Sequence, residues 1–109
     1  MALDVNSILS DMINAAKTSL GDSWKDVKDI ATASFKNLAQ TLAEIEQMKL
    51  AGTITPEKAA LMLDMQKQAV IIAIATEEAL GLVAAQNALN AALDVVKGVV
   101  NTAIGFAIL

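Results

Sequence analysis

Apolar residues recur every three or four positions from the start of the chain. Val5, Leu9, Met12, Ala16 and Leu20 draw one stripe down a helix, with Asp4 placed to cap its free amide groups. Gly21 predicts the end of that helix. Asp22 or Ser23 can cap a second one, in which Val27, Ala31, Ser34, Leu38, Leu42 and Ile45 form the stripe and Trp24, Ile30 and Phe35 flank it. Lys25, Asp29, Lys36, Gln40, Glu44 and Gln47 fall on the opposite side, the pattern of a helix half in water. Helices are therefore predicted over residues 4–20 and 23–51.

The sharpest punctuation follows at 51–58. Gly52 suits the left-handed position after a helix, Thr55 an N-cap, and Pro56 the first helical position, where its missing N–H costs nothing. Glu57 then sits at the positive end of the next helix dipole. A turn over 52–55 makes the flanking helices antiparallel neighbours.

Beyond Pro56 no proline follows, and the pattern stays helical almost to Leu109. Gly81, Gly98 and Gly105 are weak points worth about 1 kcal/mol each relative to alanine. The expected element is one helix over 56–107, roughly 75 Å long at about 1.5 Å per residue, with the two shorter helices laid end to end along it. The fold expected for the single domain 1–109 is all-α: an elongated antiparallel hairpin or three-helix bundle with one very long C-terminal helix. The alternative is a break near Gly81 and a compact four-helix bundle.

The final third carries the strongest functional signal. From Ala79 to Leu109 the only charges are Asp94 and Lys97, and Asn87, Asn90, Asp94, Lys97 and Asn101 form one narrow polar stripe. The rest of the circumference is apolar or small, whereas a helix in a simple hairpin needs an apolar face only about 100° wide. The first two helices supply two stripes at most, so the surplus predicts partners. Leu82, Leu89, Leu93, Val96, Val100 and Ile104 are the expected interface, in a homo-oligomer or against a helical partner. Small residues such as Gly81, Ala88, Ala92, Gly98 and Gly105 permit close approach of helix backbones. The polar stripe would set register, face solvent or line a lumen. On this reading, lysines at 93 and 100 dissolve an assembly and leave the second helix intact.

Composition narrows the chemistry. Of 109 residues, 55% are hydrophobic and 18% charged, so a packed core is expected. The chain has no His, Cys, Tyr or Arg, which removes the usual proton shuttle, thiol nucleophile, soft metal ligand and bidentate phosphate clamp. No catalytic residue, cofactor or metal is expected. Twelve carboxylates against eight lysines give a net charge of −4 and argue against a nucleic-acid partner. The start lacks the pattern of a secretory signal, so a cytoplasmic location or leaderless export is expected.

A structural or interaction role is therefore the leading expectation, and a membrane-active or pore-forming helical protein is the alternative. As a lone span, residues 79–97 fare badly, because Asp94 and Lys97 cost about 2.5–3.5 kcal/mol each at a bilayer centre. In an oligomer the polar stripe could instead line water while the apolar remainder meets lipid. Other candidate sites have plain structural readings. Glu77 and Glu78 interrupt an apolar run and suggest a buried acid or a solvated face; Asp22, Asp26 and Asp29 share a face that could hold a cation or simply meet water. Met48, Met62 and Met65 suggest a soft docking surface or core filling, and Trp24 a packing anchor at the start of the second helix.

Overall fold

The computed structural model describes residues 3–76 and 81–109. Its elements are α1 (Val5–Leu20), a 3₁₀ turn (Gly21–Ser23), α2 (Trp24–Leu50), α3 (Pro56–Thr76) and α4 (Leu82–Ile104), with no strand among the described residues.

Local chemistry explains most of the boundaries. Asp4 Oδ1 accepts from the backbone N–H groups of Asn6 and Ser7 at 3.1 and 3.2 Å, filling two of the bonds the first turn of α1 leaves open. At the next boundary neither Asp22 nor Ser23 acts as expected. Ser23 makes no side-chain capping bond, because Gly21 at φ +57° turns the chain and the 3₁₀ residues run straight into α2. Helical residues therefore follow one another from Val5 to Leu50, 46 in all, with no loop between, and the chain doubles back at the Gly21 corner.

At the end of α2, the Thr53 N–H donates to Met48 O at 2.9 Å and the Gly52 N–H to Lys49 O at 3.1 Å, the paired bonds of a Schellman motif. That motif needs φ above zero at its central residue, and Gly52 has φ +71°. Thr55 Oγ1 then accepts from the Lys58 N–H at 3.2 Å, and α3 starts at Pro56. Gly52→Ala is expected to cost about 1 kcal/mol, read as a lower urea midpoint at unchanged slope. A midpoint equal to that of the parent chain would contradict this assignment of the turn.

The helices form an antiparallel four-helix bundle. The Leu3 N–H donates to Glu46 Oε1 at 2.8 Å, which ties the start of α1 to the last turns of α2. Ile108, beyond the end of α4, lies beside Ala60 and Leu63 in the first turns of α3, so these two helices are also antiparallel. α1 and α3 each touch both α2 and α4 but not one another, and α2 meets α4 across the diagonal.

The 56–107 helix expected from sequence is corrected by this arrangement. The molecule measures 42 × 22 × 19 Å, and its longest dimension matches α2 alone, about 40 Å for 27 residues. α3 ends at Thr76 and α4 begins at Leu82, with Gly81 as its N-cap. The break costs little at a glycine and gains a great deal. α3 and α4 become separate rods, and the inward face of α3 supplies apolar surface to α4 that α1 and α2 lack. The core contains Met12, Phe35, Leu38, Leu42, Ile45, Val70, Ile74, Leu89 and Ile104, with Ala85, Ala88 and Ala92 fully buried among them.

Candidate interaction surface

The residues expected to join copies are instead used within the chain. Leu89, Leu93, Val96, Val100 and Ile104 are buried in the bundle core, and Leu82 alone of the expected interface is exposed. The physical reason is the partner count: α4 contacts α1, α2 and α3, and three neighbours cover far more of its girth than the two stripes assumed from sequence. The small-residue stripe follows the same logic, with Ala88 and Ala92 buried and Gly81 and Gly98 exposed. In the polar stripe, Asn87, Asn90, Asp94 and Lys97 face water, so in the single chain they line neither a seam nor a lumen. Asn101, the fifth member, is half-buried and has a different task, given below.

Exposed apolar side chains remain on two helices: Leu82, Val83, Val95 and Val99 on α4, and a line of longer ones on α3. Ala59, Leu63, Val70 and Ile74 point inward. Across the helix, Leu61, Met65 and Ile72 are 60%, 64% and 62% exposed. Their spacings of four and seven place them on one line along the outer face. Ala69 and Gln68 fill the line between Met65 and Ile72, and the Gln68 Nε2 amide donates to Asp64 Oδ2 at 3.3 Å along the border. Glu57, Lys58, Asp64 and Lys67 give α3 two charges of each sign. Among the described residues, α3 is the helix long and apolar enough to cross a membrane, and only 22% of its apolar window is buried. A helix apolar on nearly every side is ordinarily a central one. Here it lies at a corner of the bundle, with one side open to water.

Two polar side chains, Glu46 and Asn101, hold the segments before α1 and after α4. Glu46 is 1% exposed; its Oε1 accepts from Leu3, and Oε2 has no hydrogen-bond partner among the described residues. The signal was present in the spacing, because Leu38, Leu42 and Glu46 are four apart and share the inward line. Asn101 Oδ1 accepts from the backbone N–H groups of Ile108 and Leu109, both at 3.0 Å, and Nδ2 donates to Leu109 O at 3.5 Å. It thereby folds the segment after α4 back on the bundle. No sequence pattern marks this bond, since asparagine in a polar stripe looks the same whether it meets water or backbone.

The remaining candidates resolve simply. Asp22, Asp26 and Asp29 are exposed, and no group of three potential metal ligands occurs among the described residues. Trp24 is buried at the start of α2 as a packing residue; Met48 and Met62 are half-buried, and only Met65 is open. Glu77 and Glu78 lie outside the described residues. Two shallow depressions flank the C-terminal segment, one lined by Ala60, Leu61, Leu63, Asp64, Lys67 and Ile108, the other by Lys67, Asn90, Leu93, Asp94, Lys97 and Leu109. Neither joins a nucleophile to a positioned base. Comparison with known proteins returns no matching family model, no matching curated sequence and no matching solved structure.

Proposed function

We propose that this chain is a non-enzymatic assembly module, a closed helical bundle that associates with copies of itself through the outer face of α3. The observation that carries the reading is the line of Leu61, Met65 and Ile72, each more than half exposed on one helix face. Water contact on that face costs about 25 cal/mol per Å² of apolar surface, and burial against another helix recovers it. Charge favours a copy as the occupant. α3 is itself neutral in sum, so two such faces meet without net repulsion, while the chain as a whole is at −4 and carries no arginine for phosphate or anionic headgroups. Spacings of four and seven residues also suit interlocking with an equivalent stripe.

Light scattering tests this directly. The parent chain is expected at a multiple of 11.4 kDa in detergent-free buffer, and a Met65→Lys/Ile72→Lys chain at 11.4 kDa with an unchanged circular dichroism spectrum. Both positions are exposed, and surface changes of this kind ordinarily stay within about 0.5 kcal/mol of the parent stability. A parent chain that is monomeric at high concentration, or a double variant that keeps the parent mass, overturns the proposal. Dye release from neutral vesicles by the parent and not by the double variant would instead assign the same face to lipid.

A further inference from the structure

The segment after α4 is held in an unusual way. α4 ends at Gly105, whose φ of +94° turns the chain back, and a Cβ there would stand 2.8 Å from Lys49 Nζ. Residues 106–109 then return along the groove between α3 and α4, with Ile108 beside Ala60 and Leu63 and Leu109 beside Leu93 and Lys97. The side-chain bonds that fasten them are all made with the Asn101 amide, which accepts from the Ile108 and Leu109 N–H groups and donates to Leu109 O. The groove thus holds a short apolar segment: its backbone by Asn101, its aliphatic side chains by the walls.

We propose that this groove also receives residues 106–109 of a second copy, so that neighbouring chains exchange these segments. An exchanged segment makes the same contacts as the resident one, so no interaction is lost in the swap, and exchange of an identical element is a low-cost route between protomers. Phe106, Ile108 and Leu109 are only half-buried, and Gly105 is the single left-handed joint on which the segment pivots. Four residues reach at most about 13 Å, so exchange joins copies whose groove mouths meet. Leu61 borders both the groove and the outer line on α3, which makes the two surfaces continuous. The inference rests on the self-association reading, since contact through the outer face of α3 is what brings two groove mouths together.

The chain has no cysteine, so single cysteines report on the groove without background. An Ala60→Cys chain is mixed with an Ile108→Cys chain and treated with a short bismaleimide, after circular dichroism shows both to be helical. The expected result is a covalent pair joining one chain of each type. A Lys97→Cys chain mixed with a Leu109→Cys chain should give the same covalent pair, because an exchanged segment lies along the whole groove and not only against its α3 wall. Cross-linking found solely within a doubly substituted Ala60→Cys/Ile108→Cys chain, in samples that scatter as multimers, overturns segment exchange and leaves self-association standing. Samples that scatter as monomers overturn both. A cross-chain product at the Ala60 and Ile108 pair without one at the Lys97 and Leu109 pair also overturns exchange, because contact through α3 alone would then explain it.

Discussion

Val100→Lys abolishes the helical circular dichroism of the whole chain. Val100 is fully buried in α4, so an ammonium group placed there is taken out of water. The effective penalty for burying an ion is several kcal/mol even after relaxation, and a small domain has about 5–15 kcal/mol of stability in all. Because α4 touches each of the other three helices, its loss leaves none of them a complete apolar seat, and unfolding is expected as one transition. The opposite outcome is equally readable. Retained helicity in α2 with a fall in mass would mean that α4 faces other copies, the arrangement that its breadth of apolar surface suggests when the sequence is read alone.

Phe35→Ala is expected to destabilise the chain by about 3–5 kcal/mol in urea unfolding, with little change in slope. Phe35 has no solvent exposure and is the largest fully buried side chain. Only 3% of the residues are aromatic, and much of the interior is alanine, so few neighbours have the length or flexibility to collapse into the space a lost ring leaves. A loss below about 1 kcal/mol would show that α2 does not hold this ring at the centre of the bundle. Together with Val100→Lys it separates the core from the α3 surface, where two lysines are expected to change mass and not fold.

The parts of the fold legible in sequence are those set by chemistry within a few residues. Asp4 over the first amides of α1, and Gly52, Thr55 and Pro56 at the second reversal, act through bonds to positions two to five residues away. The break before α4 has no such local marker. Gly81 weakens a helix by only about 1 kcal/mol, and what decides the matter is the tertiary need of residues 82–104 for a third apolar neighbour. That same need removed the expected interface, since Leu89, Val96 and Val100 are occupied inside the bundle.

The α3 surface was harder to see. Its residues are apolar on almost every side, so no periodicity separates Leu63, which faces in, from Leu61, which faces out. Met65 was visible only as one of three methionines near the turn. Glu46 is hard to place for the opposite reason: a charge at the edge of a polar face reads as solvated unless its four-residue spacing from Leu42 is followed one step further.

The two tight reversals, three residues at Gly21–Ser23 and a short turn after Leu50, also govern how the molecule is made. They keep α1 beside α2 and α2 beside α3, so most pairings form between segments adjacent along the polymer, and only the closure of α1 against α4 spans nearly its full length. Loop-closure entropy makes local pairings quick, and topologies of low contact order reach the native state in microseconds to milliseconds. The hairpins should therefore collapse first. Seating α4 against α1 is the late step, and until it is complete the apolar flank of each is open to other nascent chains.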